Sequence, residues 1–104
     1  MSESLMQQLN RTLAQLEVVS KQGGEAGKRA QLLLSRLYPV KKAMLLQAIA
    51  LQTPLYAALA DALKQGADQA HQAQVGLIAP VSFVAGVENC MAKALILMHA
   101  GPQA

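Results

Sequence analysis

The chain has 104 residues, 53% of them hydrophobic and only 14% charged, which suits one small domain and is too short for two with separate cores. That balance excludes intrinsic disorder, because disordered chains are poor in apolar side chains and rich in net charge. One cysteine, no tryptophan and a net charge of +3 leave no material for a disulfide framework, a Cys/His zinc site or an aromatic platform for single-stranded nucleic acid.

Alanine, leucine and glutamine supply 19, 17 and 12 residues, and all three form helices readily with little competing strand preference. An all-α fold follows: a compact bundle of four to five helices over residues 1–104, completed by oligomerisation. Phe83, Tyr38 and Tyr56 are the only aromatic residues, so the core is aliphatic with methionine as adaptable filler.

Ser2 to Gln22 places Leu5, Leu9, Leu13, Leu16 and Val19 at intervals of three and four, the pattern of an amphipathic helix. Ser2 or Ser4 can cap its start, and Gly23-Gly24 ends it. Glu25 to Leu37 forms a second helix with Leu33, Leu34 and Leu37 inward. Pro39 cannot donate to the Ser35 carbonyl, so the helix either stops near Leu37 or kinks there, and a turn is expected at 38–39. The stretch 39–52, apolar almost all round after Lys41 and Lys42, reads as the most buried helix.

Thr53-Pro54 opens the next helix, threonine as cap and proline in the first turn. Leu55, Leu59 and Leu63 continue into Ala67, Ala70 and Ala73, with Gly66 either a C-terminal cap or an interior point of close helix approach. Residues 75–79 connect to a last helix from Pro80 to about Ala100, ended by Gly101-Pro102. The expected core is Leu9, Leu13, Leu16, Leu34, Leu37, Met44, Leu45, Ile49, Leu59, Leu63, Val84, Val87, Met91 and Leu95.

The charge pattern has one asymmetry. Lys28, Arg29, Arg36, Lys41 and Lys42 fall within fifteen residues, and no acid occurs between Ala26 and Ala60. They are candidates for an anion or nucleic-acid patch that grips phosphates without reading bases, or they form a solvated face that keeps an apolar domain soluble. Asp61, Asp68 and His71 share a stripe if the helix passes through Gly66, but such spacing arises readily on a wet helix face and lacks a shaped second shell. Cys90 sits on an apolar face with no histidine within a turn, which reads as a small hydrophobe. No nucleophile elbow, phosphate loop or dinucleotide fingerprint occurs.

These features point to a non-enzymatic protein-interaction module without a cofactor, an adaptor or chaperone-like bundle of the kind found among bacterial accessory proteins. With so few charges, a monomer would leave apolar patches wet, so the chain is expected to pair with itself as a homodimer or with a partner helix. The expected interface is Met44, Ile49, Leu51, Val84, Val87, Met91, Leu95 and Met98. The alternative is a sequence-indifferent nucleic-acid or anion binder using the 28–42 patch. Membrane insertion is not expected, because Gln47, Gln52, Thr53 and Pro54 interrupt the uncharged run from Ala43 to Ala60. The opening MSESLMQQLN has neither a basic leader nor a continuous apolar run, so a secretory signal is not expected, and with the lone cysteine a reducing cytoplasm is the expected location.

Overall fold

Leu5–Gln22 forms α1, Gly24–Leu45 α2, Pro54–Gln74 α3 and Pro80–His99 α4, in a computed structural model that describes residues 4–47 and 49–99. Local chemistry sets most of these boundaries. The Ser4 hydroxyl accepts from Gln7 N–H at 3.1 Å while Ser4 N–H donates to the Gln7 side chain at 2.8 Å, a reciprocal capping box. Thr53 accepts from Tyr56 N–H at 3.2 Å, with Pro54 at the first helical position. Gly23 alone joins α1 to α2, at φ 73°, a conformation that side chains with a Cβ resist. Ser2 and Gly101-Pro102, the other expected boundaries, lie outside the described residues.

Helix α2 runs without interruption through Pro39 to Leu45. The expected turn at 38–39 and the separate helix over 39–52 are thereby corrected. Pro39 and Ser35 are both exposed, so water solvates the Ser35 carbonyl that has no helical donor, and the lost hydrogen bond is tolerated. The helix ends instead where Leu46 N–H donates to Lys42 O at 3.0 Å and Gln47 N–H to Met44 O at 3.1 Å. Gln47 closes it in the left-handed region, at φ 53°.

Two helical hairpins make up the bundle. In the first, α2 folds back along α1, with the Tyr38 hydroxyl donating to Glu17 at 3.3 Å. In the second, α4 returns along α3, with Cys90 Sγ–H directed at Ala62 O at 3.5 Å. The hairpins stack so that α1 packs on α3 and α2 on α4, while the consecutive helices α2 and α3 scarcely touch. Leu5 and Leu59 line the same recess at one end and Thr12 meets Gly66 further along, so α1 and α3 run in the same direction.

All four helices contribute to one apolar core: Leu9, Leu13, Leu16 and Val19; Leu33, Leu34, Leu37 and Val40; Leu55, Leu59 and Leu63; Phe83, Val84, Val87 and Met91. Ten of the fourteen expected core residues are buried, Met44, Ile49 and Leu95 are partly buried, and Leu45 is corrected to the surface. The radius of gyration of 13.1 Å matches the value of about 13 Å for a folded chain of this length. By length and composition α4 also meets the requirement for crossing a membrane, with a mean hydropathy of 1.5; here its Phe83, Val84, Val87 and Met91 side lines the core.

Helices α1 and α3 approach closely at Gly66. Gly66 is interior to α3, and a Cβ there would lie 3.0 Å from Thr12 Oγ1 and 3.4 Å from its Cγ2. The Thr12 hydroxyl is occupied locally, donating to Gln8 O at 3.0 Å. Gly66→Ala therefore sets a helix-propensity gain of about 1 kcal/mol against a steric conflict with one named side chain. The expected outcome is that Gly66→Ala is neutral or destabilising alone, yet adds about 1 kcal/mol in a Thr12→Ala background, as read from urea unfolding of the four-member cycle. A coupling near zero would show that the two residues do not oppose each other.

Candidate functional site

The end of the bundle where α1 starts, α2 stops and α3 begins carries an apolar recess. Leu5, Met44, Gln47, Ile49, Ala50, Leu51, Tyr56 and Leu59 line a cavity of about 510 Å³, open to solvent. Each element is there for a local reason: the Ser4 cap fixes Leu5, the left-handed Gln47 turns the chain off α2, and the Thr53-Pro54 start presents Tyr56 and Leu59. Beside it, Leu45, Leu46 and Leu51 are 64%, 68% and 74% exposed. Scattered exposed leucines are ordinary, but three within seven residues, all in or next to the segment that lines an apolar cavity, are a local concentration of wet apolar surface.

Gln47 is polar among apolar neighbours and takes a backbone conformation that costs an L residue about 1–2 kcal/mol relative to the right-handed one. The Tyr56 side chain is the other polar group of the lining. Among the described residues, no charged side chain lines the cavity. The nearest cations in sequence lie one turn back on α2: Lys41 is three and four residues before Met44 and Leu45, and Lys42 three and four before Leu45 and Leu46, so both neighbour the rim. No acidic side chain among the described residues pairs with either lysine.

The five basic candidates do not form one stripe. At about 100° per residue, Arg29 and Arg36 fall about 20° apart on α2, whereas Lys41 is about 140° and Lys42 about 120° away from Arg36, on opposite sides. Arg29 is engaged: both its Nε and Nη2 donate to Glu88 of α4, and the hydrogen bond and charge of Glu88 raise its pKa above the ordinary value. Lys28 and Arg36 are exposed. Because α2 is continuous, Lys42 lies in its last turn, at the negative end of the helix dipole where a cation is favoured; the bound anion that a helix start at Pro39 would have called for is not needed.

Of the expected interface residues, Val84, Val87 and Met91 are buried in the chain's own core and present no surface. Leu95 and Met98 are partly buried on α4, while Met44, Ile49 and Leu51 come together at the cavity. Sequence reasoning missed the exposure of Leu45 and Leu46 and the place of Gln47 and Tyr56. The uncharged run from Ala43 to Ala60 was the available signal, and burial and partner surface look alike in it.

Asp61, Asp68 and His71 are exposed on α3, and no group of three or more His, Cys, Asp or Glu side chains among the described residues could hold a metal ion. A second recess of about 380 Å³ is lined by Pro54, Ala57, Ala58, Asp61, Cys90 and Lys93. There burial pushes the Cys90 thiol up to about 11, its own backbone hydrogen bond opposing the rise and the charge of Asp61 adding to it. A thiol this reluctant to ionise is a poor nucleophile at neutral pH.

Two outcomes are expected. Gln47→Gly should raise stability by about 0.5–1 kcal/mol in chemical denaturation, because glycine adopts the left-handed region freely although it adds unfolded-chain entropy. Alkylation of Cys90 at pH 8 should be about a hundredfold slower in the folded than in the unfolded chain, following the lower thiolate fraction. The folded thiol titrates above the unfolded one, so its contribution to stability is complete below pH 9.0 and is lost as pH rises toward about 11. Cys90→Ala should lack that part of the alkaline loss, as read from unfolding midpoints across this window.

No family model, curated protein or solved structure matches the chain significantly, so the functional reading rests on its own residues.

Proposed function

We propose that this protein is a non-enzymatic interaction module, an adaptor or chaperone-like bundle that buries the apolar end around Leu45, Leu46 and Leu51 against a second chain, either a copy of itself or a helix of a partner. The observation that carries this reading is the open 510 Å³ cavity with its leucine rim. Four helices already enclose a complete core, so these leucines are not needed to finish it. An apolar patch next to a recess is what a docking anchor requires.

The chemistry elsewhere is consistent with a binding role. The one thiol is protonated at neutral pH, and of the exposed Asp61, Asp68 and His71 on one face of α3 only Asp61 lines a recess, the one it shares with that thiol. For the alternative of a polyanion binder, the spread of the five cations around α2 and the engagement of Arg29 by Glu88 reduce what any single phosphate track could meet.

Affinity capture with nuclease-treated extract tests the reading, comparing the wild type with a Leu46→Asp/Leu51→Asp variant. Proteins retained by the wild type and lost by the variant are the expected result, with unchanged circular dichroism because exposed substitutions usually cost less than about 0.5 kcal/mol. Retained species that vanish with nuclease and ignore the leucines would replace this reading with nucleic-acid binding.

A further inference from the structure

The apolar end is not neutral, and its charge says what kind of chain fits it. Lys41 and Lys42 stand one turn before the rim leucines, on the residues that flank Met44, Leu45 and Leu46. From Ala26 to Ala60 no acid offsets them, and Asp61, the next acid along the chain, lines the second recess rather than this one. A ligand entering the cavity therefore meets an apolar floor with the Gln47 and Tyr56 side chains in its lining, and one that extends over Leu45 and Leu46 meets the two cations a turn back on α2.

We propose that this end binds an acidic amphipathic helix of another protein, its apolar anchors in the cavity and its carboxylates against Lys41 and Lys42. This rests on the interaction-module reading above and names the partner. A helix presents anchors at i, i+3, i+4 and i+7 along one stripe. The cavity lies within the roughly 300–1,000 Å³ typical of pockets that seat a ligand. An isolated acyl chain could fill the recess, but Leu45, Leu46 and Leu51 around it would stay wet; a helix lying across the mouth covers both. A second copy of this chain is disfavoured at the same face, because a twofold contact brings together two patches whose flanking charge has the same sign.

Fluorescence anisotropy with three labelled 16-residue peptides tests this on the full chain. One has leucines at i, i+3, i+4 and i+7 with glutamates on the flanks, the second replaces every glutamate by lysine, and the third scrambles the first. The acidic peptide is expected to bind at ~50 μM or tighter and at least about tenfold better than its basic twin, a margin two exposed charge pairs can supply. Lys41→Glu/Lys42→Glu, which leaves every apolar residue in place, should remove that preference, and added salt should narrow it. Leu46→Asp/Leu51→Asp should abolish binding of the acidic peptide.

Equal binding of both amphipathic peptides, lost with the leucine variant, would overturn the acidic partner while the interaction reading stands. Absence of peptide binding together with a dimer in light scattering that Leu46→Asp dissociates would overturn it in favour of a second copy. Binding to phosphatidylglycerol vesicles but to none of the peptides would overturn it in favour of an anionic bilayer. No binding to any probe, with a monomer in solution and capture insensitive to the leucines, would overturn both this inference and the reading beneath it.

Discussion

An aliphatic core with a single aromatic side chain must be filled by bringing backbones together. Phe83 is the only buried aromatic residue among those described, and α3 presents Ala62, Gly66, Ala67 and Ala70 as buried small positions between its neighbours. Where Thr12 meets Gly66, the absence of a Cβ sets the distance between α1 and α3. Helices at this range exchange side-chain bulk for many close contacts, each small and collectively large. The stacking of the two hairpins depends on that seam, and the seam in turn decides where the remaining elements can go.

Because α1 takes the place beside α3, α2 lies across the bundle from the helix that follows it. Residues 46–53 must then span the bundle end, and an element that spans an end is covered from one side only. Ile49 is partly buried there while Leu46 and Leu51 face outward. The apolar rim is thus a result of topology: the connection has residues suited to a core but occupies a position at the boundary. Lys41 and Lys42 remain in the last turns of α2, where the helix dipole favours them, and this fixes positive charge beside the leucines.

Much of the fold could be read from the chain. Ser4, Gly23-Gly24, Thr53-Pro54 and the break at 75–79 are local devices whose effect is decided by a few neighbouring atoms, and each lies at an observed boundary. The leucine stripes of α1 and α3 were equally legible, because a regular spacing has only one buried face. Pro39 was not: whether proline ends a helix depends on where the orphaned carbonyl points, and exposure of Ser35 is a tertiary fact. Gln47 ends α2 where a glycine would have announced the stop. For the candidate site, the uncharged run was visible, but the surface that it forms depends on which hairpin faces are already taken, and the pattern of one segment carries no record of that. Val84, Val87 and Met91 were misplaced for the same reason, since an interface stripe and a core stripe have the same period.

The Thr12–Gly66 seam also bears on the order in which the structure assembles. Each hairpin joins helices that follow one another directly, through Gly23 or through residues 75–79, and contacts between chain neighbours cost little loop entropy. The seam links residues from opposite halves of the chain, so it closes after the hairpins it holds together. Interactions that form after the transition state act on the rate of unfolding and leave the rate of folding nearly unchanged. If the seam closes after the transition state, the fit between one threonine and one glycine acts as a kinetic latch, whose quality sets how long the native bundle persists once formed.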